Sequence, residues 1–113
     1  MLIKKIFTLT VPDLPPEGIT AHGTSPVSIK VSWKPVPEGH ENGVILGYRI
    51  LFVDAAEFRE ERHLLDVPFN FSSLEVNGLT RFTNYCVQVF AFTEKGDGNM
   101  SDCLYALTAM GGK

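Results

Sequence analysis

Leu79-Thr80-Arg81-Phe82-Thr83-Asn84-Tyr85 runs without a break into Cys86-Val87-Gln88-Val89-Phe90-Ala91-Phe92-Thr93. In the second half, Tyr85, Val87, Val89 and Ala91 share one face of an extended chain, and Cys86, Phe90 and Phe92 share the other. A period of two in aromatic and β-branched residues is a strand signal. Glu94-Lys95-Gly96-Asp97-Gly98-Asn99 then supplies a turn, and Ser101 to Thr108 returns as a further strand. Upstream, Val27-Ser28-Ile29-Lys30-Val31-Ser32-Trp33 alternates as cleanly, with Val27, Ile29, Val31 and Trp33 on one face. Val44 to Val53 places Tyr48, Ile50 and Phe52 on one side and Arg49, Leu51 and Val53 on the other. Ile19 to Gly23, His63 to Val67 and Phe71 to Val76 complete the set, with Phe71 expected to turn inward. Ala55 to Leu65 is charged and reads as a solvated strand or loop, and no window carries a convincing helical period.

Short strands at this spacing, punctuated by Pro, Gly, Asn and Asp, predict an all-β chain: an immunoglobulin-like β-sandwich of seven strands in two antiparallel sheets. The 113 residues suffice for one domain with its own core. Hydrophobic residues at 44% and charged residues at 20% argue against disorder. A net charge of −3 with scattered Lys and Arg excludes the basic stripe that nucleic acid requires. No apolar run reaches the ~20 residues of a membrane-spanning helix. The expected layout is residues 1–14 as a linker, the end of a preceding unit or vector-derived sequence. Residues 15–109 form the domain and 110–113 a C-terminal linker.

Three features narrow the class. Trp33 closes one strand, and Tyr48 follows inside Gly47-Tyr48-Arg49-Ile50. Leu79 to Tyr85 is similar to a Leu-x-Pro-x-Thr-x-Tyr signature, and Gly96-x-Gly98-x-x-Ser101 follows it. Together these resemble a fibronectin type III domain from about Pro15 to Ala109. Arg81 stands where that pattern often has Pro, and Cys103 near another position that is often Pro. The resemblance implies a tyrosine corner at Tyr85, in which the phenol bonds backbone upstream. It also implies a structural core including Trp33, Tyr48, Leu79 and Tyr85. It implies an extracellular module of a membrane-anchored receptor or cell-adhesion protein that spaces neighbouring domains and binds other proteins. The alternative is an intracellular scaffold module of a giant muscle or cytoskeletal protein.

Enzyme chemistry, cofactors and a small-molecule substrate are not expected. His22, His40 and His63 show no paired spacing, and with two Cys they do not reproduce zinc-ligand patterns. Asn70-Phe71-Ser72 and Asn99-Met100-Ser101 match the glycosylation sequon; Asn99 is expected to be the better exposed, and Asn70 to be restricted by an inward Phe71. If Thr93 pairs near Met100, Cys86 falls opposite about Leu107 and Cys103 lies ~13 Å along the strand from it, which favours two unpaired thiols unless a bulge intervenes. Lys95-Gly96-Asp97 is placed at a hairpin tip, where some relatives carry an integrin-binding Arg-Gly-Asp; its ordinary reading is a solvated glycine turn. Leu51, Val53, Phe90 and Phe92 should share the outer face of one sheet and form either a partner surface or a covered layer.

Overall fold

A computed structural model describes residues 10–57 and 62–109. Met1 to Leu9, residues 58–61 and residues 110–113 lie outside the described residues, and with them the expected C-terminal linker and most of the N-terminal one. Eight strand segments follow in order: β1 Glu17–Ser25, β2 Ser28–Lys34, β3 Gly47–Asp54, β4 His63–Pro68, β5 Ser73–Val76, β6 Asn84–Thr93, β7 Gly96–Asp97 and β8 Leu104–Leu107. One sheet has the order β1-β2-β5; the other has β4-β3-β6, with β7 and β8 both paired to β6. All pairings are antiparallel. Because β7 and β8 follow each other as partners of β6, they are two pieces of one interrupted strand, which leaves the seven strand positions expected.

The alternation read from the sequence sorts the core. Ile29, Val31 and Trp33 from β2 meet Tyr48, Ile50 and Phe52 from β3 and Tyr85, Val87, Val89 and Ala91 from β6. The Trp33 and Tyr48 rings lie 5.4 Å apart, tilted by 53°. Burial of the Tyr48 phenol pushes its pKa up. Phe71 is corrected: it is exposed, not turned inward. Its backbone N–H closes a turn onto the Pro68 carbonyl at 3.1 Å, so β5 starts only at Ser73 and Val76 takes the buried position.

The tyrosine corner is formed, with the Thr80 N–H donating to the Tyr85 hydroxyl at 2.9 Å. Arg81 leaves this turn without the rigidity of a proline, and Phe82 sits at φ 52°, an uncommon conformation for a large side chain. The turn is held from β8's end of the chain instead. Thr108 Oγ1 donates to the Thr80 carbonyl and accepts from the Thr83 N–H, while the Thr108 N–H donates to the Thr83 carbonyl.

Thr10 to Asp13, expected as linker, is a strap packed on the domain. The Thr10 N–H bonds the Asn42 carbonyl, the Asp13 N–H bonds the His40 carbonyl, and the Asn99 N–H bonds the Pro12 carbonyl. Pro12 is fully buried. A Cβ on Gly98 would meet the Pro12 ring at 2.6 Å, so glycine is what allows this approach.

Removing the indole should test the core. Trp33→Ala is expected to lower unfolding free energy by about 3–5 kcal/mol in a denaturant titration. Tyr85→Phe, which removes one hydrogen bond and little apolar area, should cost only about 1 kcal/mol. Equal losses for the two would contradict the roles assigned to them.

Candidate functional site

Period two puts Arg49, Leu51 and Val53 of β3 and Cys86, Gln88, Phe90 and Phe92 of β6 on the outer face of the larger sheet. Cross-strand pairing sets Arg49 opposite Phe90, Leu51 opposite Gln88 and Val53 opposite Cys86. This is the face on which an open apolar surface was a possibility, and for two of its residues the structure corrects that expectation. Val53 and Phe90 are buried, at 1% and 4% exposure. Leu51 and Phe92 are half-buried.

Arg49 closes part of this face. Its guanidinium carbon lies 4.0 Å from the Phe92 ring centre. Nε donates to Asp66 on β4 at 3.1 Å and Nη1 donates to Asp97 on β7, so one cation is clamped by carboxylates from both sides of the sheet. Gly47 opens the path: a methyl there would collide with the Val67 carbonyl and lie 3.0 Å from the Phe92 ring. Arg62 also reaches the face, donating to Gln88 Oε1 at 2.7 Å.

A disulfide between Cys86 and Cys103 closes another part, with Cα atoms 5.2 Å apart. The expectation of two unpaired thiols is therefore corrected. β7 pairs Phe92 with Asp97, whereas β8 pairs Cys86 with Tyr105, so the register slips by two residues between them. Residues 98–103 take up the slip. The Gly98 N–H bonds the Ala91 carbonyl, the Ser101 N–H bonds the Val89 carbonyl, and Ser101 Oγ accepts from the Val89 N–H where a strand carbonyl would otherwise serve. Cys103 comes within bridging distance of Cys86 because the hairpin turns tightly: Thr93 pairs with Gly96 and not near Met100, which moves the register by four residues from the expected one, and the later slip sets Tyr105 opposite Cys86.

Lys95-Gly96-Asp97 is not displayed as a free tip. The chain turns at Glu94-Lys95, Gly96 pairs with Thr93 and Asp97 with Phe92, and the Asp97 carboxylate is held by Arg49. Lys95 remains exposed. With Thr10, Gly43, Val44, Leu46, Thr93 and Glu94 it lines a hollow of about 320 Å³ at the strap end of the sandwich, where Val44 and Leu46 are exposed.

Both sequon asparagines are exposed, Asn99 as expected, and the expected restriction of Asn70 by an inward Phe71 is corrected. Asn99 Nδ2 donates to the Asp13 carbonyl at 2.8 Å and holds the strap. Asn70 is exposed in the turn ahead of β5, next to the exposed Phe71. The three histidines are dispersed. His22 lies exposed on β1, His40 Nδ1 is 2.8 Å from Asp13 Oδ1, and the His63 ring stacks 5.1 Å from that of Phe52. The hydrogen bond from His40, aided by Asn42, holds the Asp13 carboxyl below the usual 3.8. Among the described residues no group of three or more His, Cys, Asp and Glu could hold a metal ion.

Arg49 and Ser101 are the residues that shape the outer face and that sequence reasoning missed. The alternation did carry a signal for Arg49, which sits on the face of Phe90 and Phe92, but its two carboxylate partners come from distant parts of the chain. Nothing in the sequence marks Ser101 as a strand surrogate.

The family description "Fibronectin type III domain" matches residues 14–106. Among curated proteins, human cell adhesion molecule DSCAM is 36% identical over 108 residues, covering 93% of this chain and 5% of DSCAM. The Drosophila melanogaster tyrosine-protein phosphatase Lar is 38% identical over 91 residues, covering 80% of this chain and 4% of Lar. The crystal structure of the FN5 domain of Drosophila Lar superposes with a TM-score of 0.73 at 35% identity, covering 90% of this chain and all of that domain (100%).

Two measurements follow from the geometry. Arg49→Ala should cost about 1–2 kcal/mol, the sum of a stacked cation and two half-exposed ion pairs, and should raise dye binding to the uncovered Phe92. Arg49→Lys should restore less than half, since an ammonium cannot stack and bridge two carboxylates together. For Asp13 the folded pKa is depressed, so its contribution is present above pH 3.8 and is lost as pH falls through the folded value. The Asp13 carboxyl should titrate by NMR below 3.8, and His40→Ala should move its midpoint back towards 3.8.

Proposed function

Because the chain belongs to the fibronectin type III family, we propose that it is a non-enzymatic, extracellular module of a larger membrane-anchored receptor or adhesion protein, which spaces its neighbours and binds other proteins. The observation that carries this reading is the Cys86–Cys103 disulfide, because such bonds persist in oxidising compartments and are rare in the cytosol. The relatives support it in kind: DSCAM is a cell adhesion molecule, and both DSCAM and Lar are some twenty times longer than the matched segment. The parent's partners follow from that reading and not from this chain's length.

The contact surface proposed is narrower than the outer face as a whole. Val53 and Phe90 are withdrawn by burial, and Asp97 is engaged by Arg49. Leu51, which pairs with the exposed Leu64 of β4, and Lys95 at the strap end remain available.

The test has two parts. The disulfide closes a separation of 17 residues, so the reduced chain or the Cys86→Ser/Cys103→Ser variant should lose about 3 kcal/mol of stability. Chain made in a reducing cytosol that is as stable as secreted, oxidised chain would favour the intracellular scaffold. Beads carrying the oxidised chain should bind intact cells, and Leu51→Glu with Lys95→Glu should abolish that binding at an unchanged melting temperature. Unimpaired binding by the double variant would remove these two residues from the surface.

A further inference from the structure

The β4–β5 connection carries a group of residues that neither the core nor the proposed contact surface uses. Pro68-Phe69-Asn70-Phe71 is a turn closed by the Phe71 N–H on the Pro68 carbonyl at 3.1 Å. Phe69 and Phe71 are 65% and 45% exposed, with the exposed Asn70 between them. Two phenyl rings flanking one turn residue leave apolar area in water without a protein partner to cover it. Among the described residues the Asn70 side chain makes no hydrogen bond. Ser72 is also exposed, and its carbonyl is spent on the Trp33 N–H at 3.0 Å, which fixes the backbone behind the sequon to β2.

The second sequon is built differently. Asn99 Nδ2 donates to the Asp13 carbonyl at 2.8 Å, and its backbone N–H donates to the Pro12 carbonyl at 3.1 Å. Next to it a Cβ on Gly98 would already collide with the Pro12 ring. An amide-linked sugar replaces one of the two hydrogens of Nδ2 and adds bulk at this seam, so it opposes closure of the strap. At Asn70 the same group projects into solvent.

We propose that Asn70 carries an N-linked glycan whose first N-acetylglucosamine lies over the exposed rings of Phe69 and Phe71, and that Asn99 stays unmodified. The Asn70 amide nitrogen bonds the anomeric carbon of an oligosaccharide as that carbon's C–O bond to a lipid pyrophosphate carrier breaks; the lipid pyrophosphate leaves and one amide proton passes to solvent. The apolar C–H face of the sugar then covers aromatic surface that the domain leaves open, in the way that aromatic faces attract polarised C–H edges. The inference rests on the secretory reading above.

The test sends the 113-residue chain through a mammalian secretory pathway behind an added leader, so that exposure to the glycosylation machinery does not depend on the parent's own address. Secreted chain should lose mass on amidase treatment, with conversion to Asp at position 70 alone. Asn70→Gln should abolish the shift and Asn99→Gln should leave it. Removing the glycan should lower the melting temperature by about 2–4 °C, and should cause no such drop in the Phe69→Ser/Phe71→Ser variant. Secreted, oxidised chain that is bare at Asn70, or modified at Asn99, would overturn the inference while leaving the compartment intact. An equal drop with and without the two rings would overturn the stacking. The cellular address of the parent protein, followed separately, tests the secretory reading itself.

Discussion

Strand β6 is closed on every side. Its edges pair with β3 on one flank and with β7 and β8 on the other. Its inner face supplies Tyr85, Val87, Val89 and Ala91 to the space between the sheets, and on its outer face Cys86 and Phe90 are buried too. Most antiparallel strands in sandwiches keep one wet face. Here the wet face is replaced by a covalent tie at Cys86 and an arginine laid over Phe92. A one-residue slip would exchange the two faces and break both devices together, so the register of the whole larger sheet is fixed from this strand.

That closure narrows the surface open to a partner. A sandwich with an open row of Leu51, Val53, Phe90 and Phe92 would present a flat apolar sheet face to a partner. The observed face presents a clamped cation, carboxylates and a half-buried Leu51, which is the composition of a polar rim more than of an anchor. The opposite arrangement holds at the end of the molecule, where the Thr10 to Asp13 strap joins the loop before β3 to the turn after β6. The chain upstream of the domain is thus bound into the same structure that displays Lys95, Val44 and Leu46.

The sequence discloses the fold through patterns that are local. Alternation in Ile29 to Trp33 and in Tyr85 to Ala91 names the inward residues correctly, because side-chain direction in a strand depends only on position along it, whereas Val27, read onto the same face, precedes β2 and is exposed. The tyrosine corner is legible for the same reason, since Thr80 and Tyr85 are five residues apart. The rest depends on residues distant in sequence. Alternation shows that Phe90 points away from the core but not that it is covered. Arg49 covers Phe92 only because Asp66 and Asp97, 17 and 48 residues away, converge on it. Cys103 reaches Cys86 because Thr93 pairs with Gly96 across a tight turn and not with Met100, a four-residue difference in register that the turn residues do not announce. The strand pattern points Phe71 inward, but its backbone N–H closes a turn onto Pro68 and the ring is exposed. Asn99 looked free because nothing near it in sequence reveals that the strap needs its amide.

The most direct test of the closed outer face is the relaxation of aromatic ring protons by a soluble paramagnetic chelate in NMR. The Phe90 ring, 4% exposed, should be as protected as that of Tyr48, while Phe82, 63% exposed, should relax strongly. Relaxation of Phe90 at the rate of Phe82 would show an open apolar face and contradict the account.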